Sequence, residues 1–354
     1  MSLLDPLDLA RGPAWPNRFA LAPLTNKQSN PDGTLSDDEH DWLVARAEGD
    51  FGLTMTCATY VAQAGKAWAG QLGISDDAHL PGLTRLADSI RAAGSVSSVQ
   101  LHHAGRRADG HVSGVDVVAP WDDPDRATRA LTTAEVEQAV EDFVAAAERA
   151  ERAGFDGVQV HGAHGYLVGQ FLDGRSNRRE DGWGGSLEDR SRFLLEVLRG
   201  IRSRTGADFQ LGLRLTPEGS GITVPEAVEV AGRVMGEDLV DHLDMSLWDA
   251  FRSPAHGDGL LIEAFTAIPR GRARLGVAGK ILSAADARWC LEHGADFVTI
   301  GTAAIIHHDV PRLVEADPDW VSTPQPVTRE HLQQESVGEA FIDYLATQWD
   351  DFVR

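Results

Sequence analysis

Short runs of apolar and β-branched residues alternate along this chain with longer stretches in which apolar positions recur at helical spacing. The alternation persists from the first fifty residues to about residue 310. A strand covered on both faces shows a near-continuous apolar run, and a helix laid over it shows apolar positions three and four residues apart. Eight runs have the strand character, at 19–24, 53–59, 96–101, 157–161, 209–215, 242–246, 274–278 and 297–300. Strands that alternate with helices in this way pair in parallel, and eight of them predict a (β/α)8 TIM barrel of the α/β class.

The intervening helices carry their own end signals. Thr132-Thr-Ala-Glu135 has the spacing of a capping box and opens a helix over 135–153 that Gly154 stops. Ser283 begins a helix ending near Gly294, and Thr223 caps one whose Pro225 is tolerated in the first turn. Two connections, 173–186 and 248–259, are long, polar and glycine-rich, and follow the fourth and sixth strands. Loops in those positions carry function in barrels. No proline- or serine-rich linker divides the chain, so one domain is expected: a barrel over 1–311 with a C-terminal extension, 312–354. The extension is expected on the outside of the barrel or across a neighbouring copy, which leaves a homo-oligomer open.

Composition narrows the function classes. An apolar fraction of 42% with 24% charged residues supports a large core without disorder. Acidic residues outnumber basic ones by 54 to 32, and the formal charge of -22 repels nucleic acid and anionic membranes, so neither is an expected partner. The two cysteines, Cys57 and Cys290, exclude a disulfide framework, an iron–sulfur cluster and a cysteine-built zinc site. The first residues, MSLLDPLDLARGP, lack a basic leader and an apolar core, and no apolar stretch is long enough to span a bilayer. A cytoplasmic location is expected.

Barrel enzymes assemble their sites from the carboxyl ends of the strands. Here those ends hold Pro23-Leu24-Thr25, Ala58, Gln100 to His103, His161, Arg214 and Gly279-Lys280. The sharpest element is His161-Gly-Ala-His164-Gly-Tyr166, two imidazoles and a phenol beside glycines that permit a tight turn. Such groups donate hydrogen bonds to an oxygen and deliver a proton. A lone histidine is usually structural, but three such groups at a barrel mouth point to catalysis. Zinc on His161 and His164 with His102, His103 or an aspartate is the metal alternative, disfavoured because the other strand ends offer Gln100, Arg214 and Lys280 instead of carboxylates. The amide of Gln100 suits the imide edge of a planar heterocycle and Arg214 suits an anionic ring, which together describe a flavin-sized site. Gly276-Val-Ala278-Gly279-Lys280 and Ile300-Gly301-Thr302 lie where barrels commonly hold a phosphate, with Lys280 as its counter-charge.

From about Asn17 to Asp309 the chain resembles the old yellow enzyme family of FMN-dependent NADH:flavin oxidoreductases and ene-reductases. The residues that carry the resemblance are Asn17-Arg18, Ala22-Pro23-Leu24-Thr25, Gln100-Leu-His-His-Ala-Gly-Arg106, His161-Gly-Ala-His-Gly-Tyr-Leu167, and the loop through Ser176-Asn177, Asp181-Gly-Trp-Gly-Gly-Ser186 and Arg190 to Arg192-Phe193. The resemblance implies bound FMN with NAD(P)H as reductant and an electron-poor alkene as substrate. It implies that Thr25 contacts the flavin near its C4 carbonyl and that Ala58 gives it a backbone contact. Gln100 binds the pyrimidine edge and Arg214 offsets negative charge on the reduced ring. His161 and His164 hold the substrate's activating oxygen, and Tyr166 is the proton donor.

The sequence also departs from the family pattern. Gly301-Thr302 replaces a glycine-arginine pair whose arginine meets the FMN phosphate, leaving Thr302 one hydroxyl and Lys280 the charge. Trp183 stands where tyrosine is common and Asp189 where asparagine is. The same flavin barrel is compatible with a quinone or nitro-compound reductase, and a flavin-binding barrel without turnover is the non-enzymatic alternative.

Overall fold

The apolar runs become strands because each is covered twice, by helices outside and by side chains within the barrel. In chain order the strands are β1 (Phe19–Leu21), β2 (Leu53–Tyr60), β3 (Val96–His102), β4 (Val117–Ala119), β5 (Thr128–Ala130), β6 (Gly157–Gly162), β7 (Gln210–Leu215), β8 (His242–Ser246), β9 (Arg274–Ala278) and β10 (Phe297–Ile300). The computed structural model describes residues 2–354; Met1, at the head of the expected barrel unit, lies outside the described residues. Eight of these strands pair in parallel and close in the order β1–β10–β9–β8–β7–β6–β3–β2. All eight expected runs are found. β1 stops three residues early, since Pro23 has no N–H and the last ladder bond runs from Ala22 N to Ile300 O.

The expected caps hold the helices. Thr132 and Glu135 form a capping box at the head of Thr133–Arg152, and Thr223 and Glu226 form another at Val224–Gly236. The short parallel pair β4–β5 was not expected, because three-residue strands bounded by Pro120 and Pro124 carry no readable alternation. The C-terminal extension carries the helices Arg329–Gln334 and Glu339–Gln348. It packs on the outer helix Asp37–Glu48, where Phe341 stands edge-on to Trp42 at 5.7 Å, and its last helix also reaches the mouth of the barrel with Phe341 and Tyr344. Arg46, itself buried, donates to Glu335 O at 2.7 Å, and Glu335 takes the Nδ1 of His308 at 2.6 Å, which fastens the extension down.

The opposite end of the barrel is closed by Leu7, Trp15, Ala20, Leu53, Met55, Val96 and Phe297, which form one apolar cluster at the strand starts. Trp15 is fully buried, edge-on to Phe297 at 4.9 Å and to His242 at 5.2 Å, and its indole N–H donates to Gln210 Oε1 at 3.2 Å. His242 fills the space that Gly212 leaves: a Cβ at position 212 would lie 2.0 Å from its Nε2. Neither ring nitrogen of His242 has a hydrogen-bond partner among the described residues, and burial pushes its pKa down to about 4. The unfolded chain therefore binds a proton between about pH 6.5 and pH 4 that the folded chain refuses, so this histidine costs stability as pH falls through that window. His242→Leu is expected to flatten the loss of stability over that range, by up to a few kcal/mol at the acid end. Urea unfolding at stepped pH measures it, and parallel curves for the two proteins would refute it.

Candidate active site

Residues paired across a parallel ladder send their side chains to the same face, so register decides what meets at the mouth. Ala58 pairs with Gln100 and Gln100 with Gln159, while His161 pairs with Arg214 and Arg214 with Asp244. Two polar rows therefore face the upper interior. A cavity of about 490 Å³ opens there, lined among others by Pro23, Leu24, Thr25, Ala58, Gln100, His161, His164 and Tyr166. The segment that carries Thr25 is held from behind by Glu39, which accepts from Asn26 Nδ2 at 3.0 Å and bonds Ser29 Oγ.

Past β6 the chain turns through two left-handed residues, His164 (φ 61°) and Gly165 (φ 67°). That conformation is unusual for a residue with a side chain. It is held by His164 N donating to Thr216 Oγ1 at 2.8 Å, and it folds both imidazoles and the phenol together. The rings of His161 and His164 are 5.0 Å apart, those of His161 and Tyr166 5.1 Å, and His102 packs edge-on to Tyr166 at 4.3 Å. Ala163 N donates to His161 Nδ1 at 3.3 Å, which leaves the ring proton on Nε2. His164 Nε2 is 2.8 Å from Ser246 Oγ, and that oxygen accepts from Arg214 at 3.4 Å. With the serine proton turned toward Nε2, His164 keeps its own proton on Nδ1. Burial, with the charges of Arg214 and Arg107 nearby, lowers His164 to about 3 and holds His161 well below its usual range. Both are neutral N–H donors at neutral pH. Burial raises Tyr166, and Arg107, whose guanidinium lies 4.6 Å above its ring, opposes that rise.

The polar row at the floor of the cavity fits a flavin. Gln100 Nε2 donates to Gln159 Oε1 at 2.8 Å, while its own Oε1 is buried without a partner among the described residues. An imide N–H is the group that such an acceptor requires. Arg214 is buried, with Nε 3.3 Å from Asp244, a carboxylate whose pKa burial raises against the opposing pull of Arg214. Its remaining guanidinium N–H groups can meet negative charge on a ring above.

The expected phosphate residues stand beside this cavity and do not line it. Ala278 ends β9, and Gly279 (φ 146°) brings the backbone so close that a Cβ there would sit 2.7 Å from Asp249 N. Lys280 is exposed and its Nζ lies 3.1 Å from Asp249. Gly301 caps the short helix Thr302–Ile306, next to Leu24. Sequence reasoning missed several lining residues: Arg107, Thr216, Glu218, Phe341, Tyr344 and Trp349. Arg107 directly follows the quoted 100–106 motif. The three aromatics come from the extension, where Phe341 and Tyr344 at helical spacing were the only available signal.

Residues 2–257 match the NADH:flavin oxidoreductase / NADH oxidase family. A probable NADH-dependent flavin oxidoreductase of Bacillus subtilis, YqiG, is 36% identical over 332 residues, covering 90% of this chain and 86% of the relative. Among solved structures, the old yellow enzyme homologue from Zymomonas mobilis superposes with a TM-score of 0.80 at 27% identity, covering 94% of this chain and 96% of that one. Morphinone reductase in complex with tetrahydroNAD gives 0.80 at 29% identity, over 100% of this chain and 98% of the other. The orphaned Gln100 acceptor, the buried Arg214 and these likenesses agree: the chain belongs to the NADH:flavin oxidoreductase / NADH oxidase family, an old yellow enzyme-type oxidoreductase that binds FMN and takes its electrons from NAD(P)H.

Proposed function

We propose that this oxidoreductase reduces the activated C=C bond of α,β-unsaturated carbonyl or nitro compounds, with Tyr166 as the proton donor. The observation that carries the reading is the meeting of two neutral imidazole donors and one half-buried phenol on a single wall of the cavity. Bound FMN, held by Gln100 and Arg214, would supply the redox chemistry, linking NAD(P)H as hydride source to the β-carbon of the alkene as hydride acceptor. Nε2–H of His161 and Nδ1–H of His164 donate to the carbonyl or nitro oxygen and stabilise the negative charge that grows on it. Because both imidazoles are already neutral, the oxygen is polarised without being protonated. The Tyr166 phenol, kept protonated by burial, delivers the second hydrogen to the α-carbon as a proton.

Gln100 and Arg214 hold the pyrimidine side of the cofactor in this reading, Thr25 contacts it near the C4 carbonyl, and Pro23, Leu24 and the backbone of Ala58 line the ring. Ala278, Gly279, Gly301 and Thr302 hold the phosphate through backbone N–H groups and one hydroxyl, and Lys280 leaves Asp249 to supply the charge.

Tyr166→Phe is expected to slow alkene reduction by about 100-fold or more while flavin reduction by NAD(P)H keeps its rate. Anaerobic stopped-flow measurement of the two half-reactions separates them, and equal losses in both would remove Tyr166 from its role. For the phosphate end, Lys280→Met should weaken FMN binding by about three- to tenfold in a fluorescence titration of the apoprotein. An unchanged affinity would leave the backbone donors to hold the phosphate alone.

A further inference from the structure

Beside the active-site cavity lies a second one, of about 350 Å³, that shares Arg107, His164 and Ser220 with it. The two cavities therefore adjoin at these residues. Four arginines line the annex, Arg106, Arg107, Arg126 and Arg175, against a single carboxylate, Asp173. That concentration of positive charge occurs in a chain whose formal charge is -22.

Two of the four guanidiniums have no carboxylate partner among the described residues, and a third has only a distant one. Arg106 is held by Asp123 at 2.7 Å, and Asp122, the neighbouring acid, accepts from Ala130 N at 2.7 Å. Asp173 accepts from the backbone N–H groups of Arg175 and Ser176 at 2.8 and 3.1 Å, and lies a distant 4.0 Å from the Arg175 guanidinium. The side chains of Arg107 and Arg126 have no carboxylate within ion-pair distance among the described residues; Arg107 is instead fixed by donating to His164 O at 2.6 Å. Guanidinium groups are always charged and pair bidentately with carboxylate and phosphate, and a local excess of one sign steers ligands of the other.

We propose that the annex is an oxyanion subsite that binds a carboxylate or phosphate carried by the alkene substrate, on a tether beyond the reacting double bond. The preferred substrates are then anionic activated alkenes. This rests on the alkene-reductase reading above, and it deepens that reading by naming the substrate class. A phosphate on the nicotinamide has the same chemistry, so the test must separate the two sources.

Maleimides serve as the probe, because both cysteines are buried and do not compete for them. In the FMN-loaded protein, 6-maleimidohexanoate and its methyl ester are compared as oxidants, and their binding is followed by perturbation of the flavin absorbance. The acid should be preferred over the ester by about tenfold in kcat/KM and in binding, and the preference should shrink as salt is added. Arg126→Gln with Arg175→Gln, both at exposed positions, should bring the acid-to-ester ratio close to one. Equal binding of acid and ester to the unaltered protein would overturn the subsite. A double variant that keeps the ratio but loses discrimination between NADPH and NADH would also overturn it, by assigning the arginines to the coenzyme. Tight binding of the acid with no turnover of either compound would uphold the subsite while sinking the alkene-reductase reading.

Discussion

A closed barrel has no free register. Once eight strands are joined edge to edge, a slip at one pairing must be matched at every other, and all inward residues move together. His161, Arg214 and Asp244 lie in one row for that reason, and so do Ala58, Gln100 and Gln159. Polar residues inside a barrel are costly unless paired with one another or with a ligand. The orphaned acceptor of Gln100 and the Arg214–Asp244 pair are thus sites of residual demand, created by a register that the apolar core enforces.

The electrostatics at the mouth follow from the same burial. Desolvation keeps the imidazoles uncharged, and the guanidiniums of Arg214 and Arg107 push in the same direction. Two histidines that would carry fractional charge in water become fixed dipoles. A fixed donor needs little reorganisation when charge develops on its partner, which is the source of its advantage over water.

Much of the fold was legible because its signal is local. Continuous apolar runs, capping boxes at Thr132 and Thr223, and glycines after helices are decided within a few residues, and all eight barrel strands followed from them. That Thr25, Ala58, Gln100, His161, His164 and Tyr166 line one cavity was legible for a related reason: strand ends converge by construction. Among the missed lining residues, Glu218, Phe341, Tyr344 and Trp349 were hidden because their positions depend on how loops and the C-terminal segment cross the mouth. The pairing of Lys280 with Asp249 was equally hidden, since it joins the ends of two different strands. The pair β4–β5 escaped because its strands are too short to show a period.

The final helix is held to the barrel through Phe341, which packs edge-on against Trp42, and it contributes Phe341 and Tyr344 to the cavity. The wall that faces an incoming molecule and the floor expected to hold the cofactor thus come from opposite ends of the chain but touch one another: Gly338 N donates to Gln28 Oε1 at 2.8 Å, and Lys27 lies over the Tyr344 ring. Residues in contact do not vary independently, so substitutions in the final helix should be felt in the segment that carries Thr25. The helix that shapes entry is in this way also a brace for the floor, and a change in the range of accepted molecules has to be reconciled with retention of the cofactor.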